Sequence, residues 1–228
     1  LAINPEGFRV NYDLCNHCLK CVESCAFGAL KSIGETMSPD QLMEILEKDK
    51  SYYQSSGGGV TFSGGEPTLY PRFMEKVLDL CRQSKIHTTL ETCGSFSFNR
   101  WQTLLRNLDL IYFDLKVMDQ EKHKRVTGFD NQGILGNARL LVTENYPVEF
   151  RLTLVQGYTD DKQNLDEILS FLKTLKANKL HLQSYHNMGE TKIDLIHGNQ
   201  EKLDLPSYPQ ARFDEIKSYF LAEGIHVN

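Results

Sequence analysis

Short β-type runs alternate with helical patterns along most of this chain, and that alternation admits few folds. Residues 60–62, 87–91, 110–114, 148–154 and 180–183 read as strands. Helical patterns fill about 71–84, 99–107, 120–127, 133–144 and 164–177 between and after them. Strands separated by helices argue for βαβ units and a parallel sheet. Five strands are too few to close an eight-stranded barrel. The expected fold class is therefore α/β, an incomplete parallel β/α barrel of the TIM type over residues 37–228. Its first helix opens at Ser38-Pro39-Asp40, with Ser38 as N-cap, Pro39 in the first turn and Gln41 as capping partner, and runs to about Tyr53. A last helix covers about 208–223, with Gly224 closing it.

The polar motifs follow the strands. Ser63-Gly64-Gly65-Glu66-Pro67, Glu91-Thr92-Cys93-Gly94, Asp114-Leu115-Lys116 and Ser184-Tyr185-His186 all stand at C-terminal strand ends. Parallel α/β sheets bind their ligands on that side. Four loops are thus expected to face one pocket.

Composition excludes several classes. A net charge of −5 offers no basic excess for nucleic acid. No apolar run approaches the ~20 residues of a membrane helix, and no signal peptide is visible. The expected location is the cytoplasm.

Six cysteines are present, and Cys15, Cys18, Cys21 and Cys25 fall within eleven residues. In a reducing compartment such clustering favours metal ligation over disulfides. The C-x₂-C-x₂-C-x₃-C spacing is that of a bacterial ferredoxin, with Ala26 where proline usually follows. A zinc knuckle would favour two C-x-x-C pairs set farther apart. A [4Fe–4S] cluster is the expected occupant. Residues 1–14 look like the hairpin that opens the second half of a ferredoxin-like module, with Pro5-Glu6-Gly7 as its turn. Residues 1–36 then form the C-terminal half of such a module, and the chain is expected to begin in mid-module, without the first barrel strand. Cys81 shares an apolar pattern with Phe73, Val77 and Leu78 and reads as a buried helix residue.

The run Ser56-Gly57-Gly58-Gly59-Val60-Thr61-Phe62-Ser63-Gly64-Gly65-Glu66-Pro67, placed after a ferredoxin motif and one helix, closely resembles the glycyl-radical-enzyme activases. These are radical S-adenosylmethionine enzymes similar to pyruvate formate-lyase activating enzyme, here of the kind with an inserted ferredoxin-type domain. The resemblance spans essentially the whole chain. It implies that Gly64, Gly65 and Glu66 receive the methionine amino group of S-adenosylmethionine. It places Glu91 and Thr92 beside the cofactor and matches Asp114 and Lys116 to the family's D-x-K, with Lys116 suited to the methionine carboxylate. An Asp–Lys pair taken alone would read as a solvated ion pair. Arg151 lies in Arg-Leu-Thr-Leu-Val-Gln-Gly, similar to R-x-x-x-V-P-G with Gln156 in place of proline, and is expected to point into the barrel with Thr153. His186 matches the histidine of L-P-Y-H-x-L-G, although Gln183-Ser184 replaces Leu-Pro. Cys93 stands where many relatives have Asn or Ser, and no role is assigned to it.

The family's C-x₃-C-x₂-C signature, which holds the catalytic cluster, is absent from these residues. The sequence therefore assigns no catalytic residue, and the chain alone is expected to be inactive. The parent protein is expected to cleave S-adenosylmethionine reductively and to place a glycyl radical on a partner enzyme. Flavodoxin or ferredoxin is the implied electron donor. Two alternatives stand beside this: another radical S-adenosylmethionine enzyme, such as a maturase, and an electron-transfer iron–sulfur protein. The second explains the four cysteines but not the four strand-end motifs.

Overall fold

The computed structural model describes residues 2–4, 7–12, 14–196 and 201–228, with the backbone alone at 2–4, 7–9 and 194–196. The chain divides into two compact units, Leu1–Thr36 with Asn187–Leu205, and Met37–His186 with Pro206–Asn228.

In the first unit, β1 (Ala2–Asn4) and β2 (Gly7–Arg9) pair antiparallel, with Ile3 opposite Phe8. The expected turn residues Pro5 and Glu6 lie outside the described residues. A one-turn helix, α1 (Lys20–Glu23), carries Cys21. His17 and Leu19, on either side of Cys18, take left-handed backbone angles (φ 55° and 58°), which curls the chain between the cysteines.

The second unit begins with α2 (Pro39–Leu46). Ser38 Oγ accepts from the Gln41 N–H, and the Gln41 side chain accepts from the Ser38 N–H, the capping box expected from the sequence. The single helix expected to about Tyr53 is instead broken by a tight turn, Glu47–Asp49, before α3 (Lys50–Ser56). Gly57 ends α3 in the left-handed region (φ 69°).

The rest alternates as the patterning requires: β3 (Gly59–Phe62), α4 (Pro71–Gln83), β4 (His87–Thr92), α5 (Phe98–Leu105), β5 (Leu110–Leu115), α6 (Gln120–Thr127), α7 (Gln132–Thr143), β6 (Val148–Leu154), α8 (Lys162–Leu175) and β7 (Lys179–Ser184). In the first unit, α9 (Glu190–Ile196) follows, and α10 (Gln210–Ala222) and β8 (His226–Val227) complete the second. The sheet runs β3-β4-β5-β6-β7-β8, every neighbouring pair parallel, and its two edge strands do not pair with each other. It is an incomplete barrel with six strands. The sequence reading missed the sixth, β8, which is too short to show a two-residue period.

One face of the sheet is apolar. Leu90, Ile111, Phe113, Leu115, Phe150, Leu152, Leu154 and Leu180 are buried against Leu78, Trp101, Leu105, Leu141, Ile168, Leu172, Ile216 and Phe220 of the helices. Truncating any of these, as in Leu152→Ala, is expected to cost about 2–5 kcal/mol. The alternate residues, Glu91, Tyr112, Asp114, Glu149, Arg151, Thr153 and His181, project to the opposite face. A smaller apolar cluster of Met43, Val77, Cys81 and Ile86 packs α2 on α4.

Candidate active site

The polar face is organised by register. Asp114 on β5 stands opposite Arg151 on β6, and Glu91 lies one strand further on. Arg151 Nε donates to Asp114 Oδ1 and its Nη1 donates to Glu91 Oε1, each at 2.6 Å. Ser63 Oγ, just beyond β3, donates to Glu91 Oε2 at 2.6 Å. One residue just beyond β3 and one within each of β4, β5 and β6 thus meet in one network. Burial would push the Glu91 carboxyl up, but the hydrogen bonds from Arg151 and Ser63, with the guanidinium's charge, hold it below its ordinary value. The two carboxylates raise the Arg151 pKa further despite burial.

Below this layer lies a second. Glu149 accepts from Lys179 Nζ at 2.7 Å and pairs with His181 Nε2. The Tyr112 ring connects the layers, edge-on to His181 at 4.9 Å, with the Arg151 guanidinium 5.8 Å from its centroid.

Glu66 has a more specific place than its motif revealed. Its Oε1 accepts from the Thr68 N–H (3.1 Å), Thr68 Oγ1 (2.6 Å) and Thr92 Oγ1 (2.9 Å), and its Oε2 from the Cys93 N–H (2.9 Å). Burial alone would raise its pKa, but these bonds outweigh it and lower it. The carboxylate ties the turn after β3, with its exposed Gly64 and Gly65, to the turn after β4. Gly64 takes a φ of 110°, a backbone conformation natural to glycine.

Thr92 is buried and its Oγ1 accepts from the Gly94 N–H at 3.0 Å. Gly94 cannot carry a side chain: its φ is 79°, and a Cβ there would stand 2.1 Å from Phe113 Cζ. The half-buried Cys93 thiol is pushed up, first by burial and then by its hydrogen bond to Glu66, while the nearby Lys116 ammonium pulls the other way. Lys116 is exposed and directly follows the end of β5, two residues after Asp114.

His186 stands apart from the Arg151 network. It is exposed and, with Thr153, Gln183, Ser184, Tyr185 and Phe213, lines a cleft of about 520 Å³ at the C-terminal end of β7. Sequence reasoning missed Ser63 as a partner of Glu91, although it lies in the quoted motif. It also missed Tyr112, whose only signal was its alternation with Asp114.

Cys15, Cys18, Cys21 and Cys25 are all free thiols. The His17 N–H donates to Cys15 Sγ and the Leu30 N–H to Cys25 Sγ, each at 3.4 Å. The Leu30 bond is the main cause holding the Cys25 thiol below its ordinary value. Among the described residues no three His, Cys, Asp or Glu stand as they would around a bound metal ion. The donor chemistry fits an iron–sulfur cluster all the same: all four groups are thiols, and two of them, Cys15 and Cys25, accept backbone N–H bonds. The rim fits S-adenosylmethionine by charge: the carboxylates of Glu66, Glu91 and Asp114 exceed the cations of Arg151 and Lys116 by one, opposite in sign to a ligand with a sulfonium, an ammonium and one carboxylate.

A partial parallel barrel with its charged groups gathered at the C-terminal strand ends defines a β/α-barrel enzyme. A model of the radical SAM superfamily matches residues 15–181, and the chain belongs to that superfamily. Within it, the chain is 31% identical to the 4-hydroxyphenylacetate decarboxylase activating enzyme of Clostridioides difficile, over 95% of this chain and 69% of that protein. It is 35% identical to the (2S)-3-sulfopropanediol dehydratase activating enzyme of Klebsiella oxytoca, over 93% of this chain and 69% of the relative. Pyruvate formate-lyase 2-activating enzyme of Escherichia coli is 32% identical, over 93% and 74%. Among solved structures, a domain of pyruvate-formate lyase-activating enzyme from Bacteroides vulgatus superposes with a TM-score of 0.62 at 25% identity, covering 75% of this chain and 98% of that one. These relatives are glycyl-radical-enzyme activating enzymes, and the chain is a radical SAM enzyme of their kind. Among the described residues no helix is long and apolar enough to cross a membrane.

Proposed function

We propose that this protein cleaves S-adenosylmethionine reductively and places a glycyl radical on a partner enzyme. The observation that carries the reading is the network of Glu91, Arg151 and Asp114, joined through Ser63 to the turn that holds Gly64 and Gly65. When bound, a reduced iron–sulfur cluster would supply the single electron for reductive cleavage of S-adenosylmethionine. The chain's own groups bind and orient. Lys116 offers a point charge for the methionine carboxylate. Backbone groups at Gly64 and Gly65 meet the amino group, in a turn shaped by Glu66. Glu91, Thr92, Asp114 and Arg151 present fixed charges and dipoles that need no reorganisation when the ligand arrives. His186, in the separate cleft at the end of β7, is assigned to the cofactor's far side.

Cys15, Cys18, Cys21 and Cys25 are assigned to a ferredoxin-type [4Fe–4S] cluster in residues 1–36, which relays an electron from flavodoxin or ferredoxin. Residues 37–228 are assigned to the barrel that binds S-adenosylmethionine. Free thiols suit the reducing cytoplasm, where we place the protein. The partner is a glycyl radical enzyme of the same broad group as those in the relatives' names, and its reacting group is a backbone glycine.

The test is an anaerobic incubation of the full-length protein, reconstituted with iron and sulfide, with S-adenosylmethionine, a strong reductant and a glycyl radical enzyme encoded beside it. A glycyl radical signal in electron paramagnetic resonance is expected. Cleavage of S-adenosylmethionine with no radical on any such partner would move the protein to the maturase class.

A further inference from the structure

The segment that carries Lys116 is held from the side by two buried asparagines. Residues 116–118 leave β5 and lead to α6, whose N-cap is Asp119. Asn164 Nδ2 donates to the Lys116 carbonyl at 2.9 Å and to the Thr159 carbonyl at 2.8 Å, while its Oδ1 accepts from the Met118 N–H at 2.8 Å. Asn131 Nδ2 donates to the carbonyls of Val117 (2.9 Å) and Met118 (2.7 Å). Each asparagine is only 3% exposed. The partners fix both amide orientations, because a carbonyl only accepts and an N–H only donates. Asn164 is itself anchored, its N–H donating to Asp161 Oδ1 at 3.0 Å at the start of α8. Asn131 stands at the N-terminal boundary of α7. Loops after β5 and β6 and before α7 are therefore locked together by two side chains.

Lys116 is exposed, and among the described residues its ammonium has no hydrogen-bond or ion-pair partner. Only its backbone is held, so the direction in which that cation leaves the rim depends on the peptide groups that the asparagines fix. We propose that Asn164 and Asn131 are positioning residues that aim Lys116 at the carboxylate of the bound ligand. This rests on the reading of the rim as an S-adenosylmethionine site.

Asn164→Asp tests it. The shape is kept, but an oxygen replaces the donor facing the carbonyls of Lys116 and Thr159. Equilibrium binding of S-adenosylmethionine is measured calorimetrically on the full-length, cluster-loaded protein, for the wild type, Asn164→Asp, Lys116→Met and the double variant. The expected result is about a tenfold loss for Asn164→Asp. In the Lys116→Met background the same change should cost less than about twofold, because its effect passes through the lysine. Equal losses in both backgrounds, or none for Asn164→Asp alone, would overturn the positioning role while leaving the site intact. If Lys116→Met binds as the wild type does, the assignment of Lys116 to the ligand fails instead, and this proposal with it. Should Asn164→Asp not fold, hydrogen exchange on the wild-type protein decides. The Met118 amide should exchange as slowly as the core of β5, and rapid exchange would overturn the proposal.

Discussion

Arg151 and Asp114 face each other across adjacent parallel strands, and the guanidinium reaches past that pair to Glu91 on the next strand. The arginine side chain is 12% exposed and each carboxylate 25%. Such a fork needs a planar donor set, which lysine lacks. Arg151→Met leaves two half-buried carboxylates without their cation, and the expected loss of folding stability is about 1–3 kcal/mol. Arg151→Lys should recover little of it. Chemical denaturation of the three proteins checks both statements, and full rescue by lysine would show that only net charge matters there.

The turn after β4 predicts a steric effect. Gly94→Ala combines a left-handed φ of 79° with a Cβ 2.1 Å from the Phe113 ring. Phe113 is fully buried, so the ring cannot move aside without disturbing Phe150 behind it. The expected cost is about 1–3 kcal/mol of overpacking with backbone strain added. Thermal unfolding measures it. By contrast, Gly136→Ala on α7 meets no atom within 4 Å and should be neutral or mildly stabilising.

Much of this architecture was legible because strand alternation and helical period are set by burial on one face. Leu90, Phe113 and Leu152 point one way and Glu91, Asp114 and Arg151 the other, as their spacing demands. The four strand-end motifs were legible for the same reason. What was not legible depended on contacts between distant residues. Glu66 reads as a ligand group in its motif, and nothing in that motif shows that its carboxylate also accepts from Thr68, Thr92 and Cys93. Asn131 and Asn164 look like ordinary turn and cap residues until the β5 loop folds against them. The strand β8 and the grouping of Asn187–Leu205 with the N-terminal unit leave no periodic signal at all.

Acid should weaken the fold through identifiable carboxylates. Glu66, Glu91, Glu149 and Asp161 all have pKa values lowered in the folded protein. For a lowered group, the stabilisation is fully present above the unfolded-state pKa, about 3.9–4.3 for these residue types. It is lost as pH falls through the lower folded value, because the unfolded chain then binds more protons. Stability should therefore be nearly level between about pH 5 and 7 with respect to these groups and should drop steadily below that. Arg151→Met should flatten the part of the drop that belongs to Glu91. Urea midpoints across this range provide the measurement, and an unchanged slope in the variant would dissociate Glu91 from its arginine.

The six thiols should separate by reactivity in the metal-free protein. The thiolate is the reactive species, so its population at a given pH and its exposure set the rate. Cys25 is lowered by the N–H groups around it, with Leu30 the main donor, and it lies in a surface segment. Cys93 is raised by burial and by Glu66, which disfavour its thiolate. Cys81 is wholly buried between α2 and α4, its thiol donating to Met43 Sδ at 3.7 Å, and burial pushes it up to about 11. Timed alkylation at about pH 8, read by peptide mass spectrometry, should label Cys25 first and Cys93 slowly. Cys81 should react only at the rate of unfolding, so adding urea should accelerate it far more than Cys25. Loading the protein with iron and sulfide should then protect Cys15, Cys18, Cys21 and Cys25 together and leave the rate at Cys93 unchanged. Protection of only two or three of the four would assign the remaining cysteine to no cluster in residues 1–36, and protection of Cys93 along with them would place a metal at the barrel rim instead.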